Sequence, residues 1–183
     1  MRIIAGTLKG RRLKAPTWEG LRPTSDKLRE TLFNVLAGCT AGARWLDGFA
    51  GTGAVGIEAL SRGAAHVQFI ERDRRAVALI RENLAGCAVT AGYTIEQADV
   101  ATALSRLPAE TRFDVIVLDP PYDVTELGAV LDAAGGRLEQ GGVIVLERAT
   151  RTDPEVPASL RRMRDIRSGD STLTLLRRVE GEP

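Results

Sequence analysis

Asp119-Pro120-Pro121-Tyr122 places a carboxylate, a stiff main chain and an aromatic ring in direct succession after the apolar run Val115-Ile116-Val117-Leu118. Successive prolines have a fixed φ and no N–H, so they end a strand ladder and hold their neighbours rigidly where a buried strand stops. Such a site suits a flat group bearing an amine. The exocyclic amine of a purine is a poor nucleophile because its lone pair is delocalised into the ring. Two hydrogen bonds donated by that amine, to Asp119 Oδ and to the Pro120 carbonyl, would draw the nitrogen toward tetrahedral geometry and free the pair. The ring of Tyr122 can stack on the base, a contact worth roughly 1–3 kcal/mol. Asp and Pro are also ordinary turn residues, so the tetrapeptide needs a second feature to carry this chemistry.

That feature is the segment Asp47-Gly48-Phe49-Ala50-Gly51-Thr52-Gly53-Ala54-Val55-Gly56. Gly51 and Gly53 permit positive φ and a ligand lying against the backbone, and Gly56 permits close helix-to-strand packing. The G-x-G-x-x-G spacing alone is shared with nicotinamide and flavin enzymes. Asp47 separates the readings, because a carboxylate there suits a cationic ammonium and repels a pyrophosphate. Glu71 ends the next strand and can accept both hydroxyls of a ribose. Asp99 ends the one after and can accept from the amine of an adenine. An ammonium, a ribose and an adenine together describe S-adenosylmethionine. Each acid taken singly could instead cap the helix that follows it.

A sequence of 183 residues, 44% hydrophobic, has the size of one domain with its own core. It contains no run of eighteen apolar residues and no leader pattern, which predicts a soluble, cytoplasmic chain without a membrane contact. Cys39 and Cys87 are expected to be small buried thiols, and with His66 as the only histidine no metal site is expected. The net charge of +1 is unevenly spread. Residues 1–30 carry eight basic and three acidic groups, residues 148–178 eight arginines and four acids, and residues 31–147 nine basic and fifteen acidic groups. Basic ends around an acidic middle point to termini that contact a polyanion.

The elements that must position these residues follow from periodicity. Arg2 to Ala5 and Arg11 to Ala15 form a basic hairpin around Lys9-Gly10. Thr24 or Ser25 caps a helix to about Leu36. Strands at Arg44–Phe49, His66–Glu71, Tyr93–Gln97, Phe113–Leu118 and Gly142–Glu147 alternate with helices at Ala54–Ser61, Arg74–Leu84, Val100–Leu107 and Thr125–Leu138. Phe113–Leu118 is the most hydrophobic strand and belongs mid-sheet. Leu160–Arg167 and Thr172–Val179 alternate around Ser168-Gly169-Asp170 as a hairpin. The expected fold is α/β, a Rossmann-like, doubly wound, mostly parallel seven-stranded sheet with an antiparallel C-terminal hairpin and a small N-terminal β-hairpin.

With these residues in place the chain resembles the class I S-adenosylmethionine-dependent methyltransferases carrying a (D/N/S)-P-P-(Y/F) motif. More closely, it is similar to the RsmD-type 16S ribosomal RNA guanine-N2-methyltransferases. The resemblance rests on Met1 to Gly6, Gly10 to Leu13, Arg22-Pro23-Thr24, Arg29-Glu30, Phe33-Asn34, Leu46 through Gly56, Glu58-Ala59-Leu60-Ser61-Arg62-Gly63-Ala64, and Leu118 to Tyr122. It implies cofactor contacts at Asp47, Gly51, Glu71 and Asp99, with Phe49, Thr52, Gly53, Arg72, Val100 and Asp119 completing the candidate set. It implies catalysis at Asp119, Pro120 and Tyr122. The implied substrate is one guanine of 16S ribosomal RNA in a small subunit or assembly intermediate, met by a monomer. Candidate RNA contacts are Arg2, Lys9, Arg11, Arg12, Arg22, Thr24 and Arg29. Residues 1–23 are read as a basic hairpin extension and 24–183 as the methyltransferase domain. DNA adenine-N6 methylation would use the same tetrapeptide, a nicotinamide oxidoreductase would leave it unexplained, and a non-catalytic RNA-binding module would account for the basic ends alone.

Overall fold

The computed structural model describes residues 1–18, 25–121 and 126–179. In chain order they form α1 (Asp26–Val35), β1 (Arg44–Gly48), α2 (Ala54–Ser61), β2 (His66–Glu71), α3 (Arg74–Gly86), β3 (Tyr93–Gln97), α4 (Val100–Arg106), β4 (Phe113–Leu118), α5 (Leu127–Gly135), β5 (Leu138–Ala149), β6 (Leu160–Ser168) and β7 (Ser171–Arg178). The strands make one sheet ordered β3-β2-β1-β4-β5-β7-β6. β1 to β5 run parallel, while β7 is antiparallel to both β5 and β6. The chain thus winds outward from β1 in one direction to β3 and in the other through β4 to β5. The crevice beyond the carboxyl ends of β1 and β4 is the switch point where ligands of such sheets bind.

Alternation along the buried strands serves two cores. Trp45 of β1 and Val115 and Val117 of β4 face a layer holding Leu28 and Leu32 of α1, Ile57 of α2 and Ile80 and Leu84 of α3. Leu46, Ile116 and Leu118 face the opposite layer, with Val100 and Leu104 of α4 and Val130 and Leu131 of α5. Buried on both sides, β4 has the apolar sequence that its central place demands. Gly56 lets α2 close on β2, since a Cβ there would lie 2.2 Å from the Phe69 ring.

Local chemistry sets the helix starts. The Ser25 side chain accepts from Leu28 N at α1, and the Asp73 and Asp99 carboxylates accept from main-chain N–H groups at the starts of α3 and α4. α5 is shorter than the expected Thr125–Leu138: it ends at Gly135, next to Gly136, where helix propensity collapses. Leu138 instead opens β5 by pairing with Phe113. β5 is correspondingly longer than Gly142–Glu147, because its far end, Arg148 and Ala149, pairs with Thr172 and Ser171 of β7.

The first fourteen residues form an arm folded back on α2. Arg2 bridges Arg12, and Ile3 N donates to Arg11 O and Gly10 N to Ile3 O. Ile3 and Leu13 are buried in the first core layer. The expectation of two buried thiols holds for Cys87 but not for Cys39, which is exposed just beyond α1.

Candidate active site

The glycine turn leaves β1 in a backbone that few residues tolerate. Phe49, Gly51 and Gly53 have φ of 61°, 56° and 74°. Left-handed geometry is ordinary for the glycines and costly for Phe49, and strain of this sort concentrates at functional sites. The turn is braced from beneath. Asp47 Oδ2 accepts from Gly56 N at 2.8 Å, and Glu71 Oε2 accepts from Gly51 N at 2.9 Å. Asn83 of α3 donates to the Thr52 carbonyl at 2.9 Å and accepts from Lys14 N, so one amide ties the turn to the arm.

Asp47, Phe49 and Ala50 line one side of a cleft, and Asp119 lines it from the end of β4. Val55 and Val117 form part of its wall, Leu28 and Leu32 of α1 close over it, and Glu147 and Leu173 bound it from β5 and β7. The register sets this placement: Gly48 pairs with Leu118, and Asp119 N donates to Gly48 O at 3.4 Å. Pro120 is half-buried and Pro121 exposed. Tyr122 lies outside the described residues, as do Arg22 and Thr24.

The electrostatics of the cleft are dominated by acids. Burial pushes the Asp47 carboxyl up to about 7, the Gly56 N–H opposes the rise and the negative Glu71 adds to it. A buried carboxyl held this way gains from a neighbouring cation. These residues fit a ligand bearing an ammonium and a sulfonium: Phe49 and Ala50 bring the turn to the cleft, whose walls carry acids and an aromatic ring, while Gly51, Thr52 and Gly53 are buried behind it.

Other expected contacts take more ordinary positions. Glu71 also accepts from Asp73 N through Oε1 at 2.8 Å, so both its oxygens already serve the backbone, and only its remaining lone pairs could meet a ribose. Asp99 caps α4, its Oδ1 accepting from Ala101 N and Thr102 N. That is the capping role open to any such acid, and it leaves Oδ2 outside the cap. Val100 is in the core and Thr52 is buried with its hydroxyl toward Met1 Sδ, so a ligand would meet their main chains rather than their side chains. Arg72 is exposed.

Among the basic candidates, Arg2, Lys9, Arg11 and Arg12 are exposed. Arg29 is a correction. It is 0% exposed and donates to Arg2 O at 2.7 Å and to Asp26 at 2.6 Å, so it joins α1 to the arm and presents no surface to RNA.

Three functional-looking positions were not singled out from sequence. Glu58 is fully buried and accepts from Ile4 N, Ala5 N and Arg62 Nε, and the Ser61 hydroxyl donates to Ala5 O and accepts from Leu8 N. The signal was present, since both belong to Glu58-Ala59-Leu60-Ser61, but nothing local says that a helix is grasping a distant arm. The third is Glu147, whose side chain reaches the cleft from a neighbouring strand.

The family described as Conserved hypothetical protein 95 matches residues 1–177. The chain is 35% identical to Ribosomal RNA small subunit methyltransferase D of Escherichia coli (strain K12), over 100% of this chain and 92% of that one. It is 34% identical to the tRNA (guanine(10)-N2)-dimethyltransferase of Methanothermobacter thermautotrophicus, over 67% of this chain and 37% of that one. The solved structure of a hypothetical protein from Thermus thermophilus superposes with a TM-score of 0.81 at 33% identity, covering 97% of this chain and 99% of the other.

Proposed function

The chain belongs to the Conserved hypothetical protein 95 family, and from that membership we propose that it transfers a methyl group from S-adenosylmethionine to the exocyclic N2 amine of a guanine in 16S ribosomal RNA. The observation that carries the reading is the shared cleft: the glycine turn after β1 and Asp119 after β4 line the same small space. The guanine N2 assignment is further supported by the tRNA relative, whose name specifies that atom. The substrate is presented in a small subunit or an assembly intermediate. Residues 1–23 serve as its basic extension and residues 24–183 as the methyl-transferring domain.

The cofactor, when bound, supplies a methyl group on a sulfonium whose departing thioether is neutral, so the protein needs little acid power and much positioning. Asp47 and the turn would hold the cationic end, and Glu71, Asp99, Arg72 and the main chain of Val100 would contact the nucleoside. Asp119 Oδ and the Pro120 carbonyl accept from the target amine and orient its lone pair, and Tyr122 stacks on the base. Among the described residues no group of three or more His, Cys, Asp or Glu is arranged to hold a metal ion. No described helix is long and apolar enough to cross a membrane.

Transfer of a tritiated methyl group to naked ribosomal RNA, 30S particles and DNA, followed by nucleoside analysis, tests the assignment. Label is expected in N2-methylguanosine from ribosomal RNA. Methylated adenine, or label in DNA, overturns it. In the same assay Asp119→Ala is expected to lose about 100-fold or more of its turnover while binding S-adenosylhomocysteine as the unmodified chain does. Near-normal turnover by that variant would remove Asp119 from the mechanism.

A further inference from the structure

Residues 11–18 run antiparallel along α3. Arg11 Nη1 donates to Gly86 O at 3.4 Å at the end of the helix, and Lys14 N donates to Asn83 Oδ1 at 2.7 Å. Lys14 Nζ pairs with Glu82 at 2.9 Å, and Trp18 meets Arg75 in the first turn. Positions 86, 83, 82 and 75 share one side of a helix. The neighbouring row, Arg74, Ala78, Arg81 and Ala85, is exposed along its whole length. Chain segment and helix thus make a two-part surface about 20 Å long, the rise of the 13 residues of α3.

The charge of this surface is one-sided. Residues 11–18 and 73–86 together carry six basic and two acidic groups. Both acids are already engaged: Glu82 with Lys14, and Asp73 with Arg75, whose main-chain N donates to Oδ1 at 2.8 Å and whose Nη2 lies 2.7 Å from Oδ2. Arg74 and Arg81 make no ion pair among the described residues. The clamp from Asp73 fixes the Arg75 guanidinium, and its central carbon lies 5.1 Å from the centroid of the Trp18 ring, within cation–π range. Trp18 is half-buried, lies in no helix or strand and belongs to neither core layer. An aromatic ring held by a fixed cation and still partly open to solvent is a platform for another flat group.

The surface also has a direction. α3 starts just beyond Glu71, at the carboxyl end of β2 and beside the glycine turn that Glu71 braces. Trp18 and Arg75 therefore stand at the crevice end, and Arg11 at the far end. Arginines and lysines neutralise phosphates, and an aromatic ring takes the face of a base. A duplex already buries its base faces by stacking, so a ring of this kind serves an unpaired strand.

We propose that the seam between residues 11–18 and α3 is the track for a single-stranded segment of the RNA substrate, with Trp18, backed by Arg75, stacking one of its bases other than the target. The inference rests on the methyl-transfer reading of the neighbouring cleft and names how the RNA approaches it. It adds Trp18, Arg74 and Arg81 to the basic groups of the arm.

A single-stranded RNA decamer and an abasic decamer of the same length separate base stacking from phosphate binding. Trp18 and Trp45 are the two tryptophans, and Trp45 is 0% exposed, so quenching of protein fluorescence by the base-bearing decamer reports on Trp18. Trp18→Leu is expected to lose the quench and about tenfold in affinity for the base-bearing decamer, with affinity for the abasic one within about twofold. Trp18→Phe, which keeps a ring, should retain most of that affinity. Arg74→Gln combined with Arg81→Gln is expected to keep the quench and to reduce the slope of log affinity against log salt by about 1.4. Undiminished binding of the base-bearing decamer by Trp18→Leu, or an equal loss for both decamers, overturns the stacking platform. An unchanged salt slope in the double arginine variant overturns the track along α3. Quenching by S-adenosylhomocysteine alone that disappears in Trp18→Leu would put the cofactor's adenine on the ring and also overturns the proposal. These readouts need no methyl transfer. Decamer binding as expected, by a protein that methylates no RNA, would overturn the functional reading and leave the RNA track standing.

Discussion

Asp47 is the carboxylate with the most to gain from a bound cation. It is 4% exposed, and burial holds its carboxyl near 7, against an ordinary value of 3.8. The folded chain therefore keeps a proton on Asp47 across the range in which the unfolded chain has lost it. Stability contributed by that proton is complete below about 4, declines as pH rises to about 7, and is gone above. At 1.36 kcal/mol per unit the swing is of the order of 4 kcal/mol. Asp47→Asn keeps an acceptor for Gly56 N and removes the titration, so thermal unfolding followed from pH 4 to 8 should lose this downward slope. Ligand binding inverts the relation. An ammonium placed against Asp47 favours the carboxylate, so S-adenosylhomocysteine should bind with proton release near pH 6.5. Calorimetry in buffers of different ionisation enthalpy should show that release in the unmodified protein and not in Asp47→Asn. Sequence spacing pointed to Asp47 as a partner for a cation, but its second task, bracing Gly56, depends on a helix curling back over the strand end and is invisible in a linear reading.

At the scale of elements, the alternation of apolar runs with amphipathic stretches was enough to place the strands, and β2, β3 and β4 begin and end where their periodicity says. What periodicity could not anticipate was set by contacts distant in sequence. β5 grew because Leu138 meets Phe113 and Ala149 meets Ser171. The arm shows the same limit. Its basic hairpin pattern was legible, whereas its attachment through Glu58, Ser61 and Asn83 was not, because it joins residues separated by more than fifty positions. Gly6 is part of that attachment: its φ is 82°, and a Cβ there would fall 1.9 Å from Ser61 O. Glu58→Ala removes the acceptor for two main-chain N–H groups. Each one left buried and unpaired costs about 1–3 kcal/mol, while burial of Ile3 and Leu13 contributes roughly 1.5–3 kcal/mol apiece toward keeping the arm docked. The terms are comparable, so the arm should fray rather than leave. The expected result is a loss of about 2–4 kcal/mol in stability, with faster amide exchange at Ile4, Ala5 and Leu8 and unchanged exchange along β4. Glu58→Gln, which retains an acceptor, should recover part of the loss.

Over the whole molecule, the net charge of +1 says little about binding a polyanion, and the distribution says more once ion pairs are subtracted. Arg29 is buried, Lys14 pairs with Glu82 at 2.9 Å, and Arg148 and Arg162 are tied to Asp153 and Asp165. Among the described residues, Arg2, Lys9, Arg11 and Arg12 remain exposed on the arm without an ion pair, and Arg161, Arg164 and Arg167 do so on β6. Asn83 and Thr52 join the arm directly to the glycine turn, so a phosphate chain held there would lie against the wall of the proposed site. Each phosphate neutralised on a single strand contributes about −0.7 to the slope of log affinity against log salt. Replacing Arg2, Lys9, Arg11 and Arg12 together by glutamine should therefore flatten the slope for ribosomal RNA by about 3. S-adenosylhomocysteine affinity should stay the same, because none of these four residues lines the proposed cofactor cleft. Replacing Arg161, Arg164 and Arg167 in a second variant gives the comparison. A slope that changes only in the second variant would move the RNA path from the arm to the C-terminal hairpin.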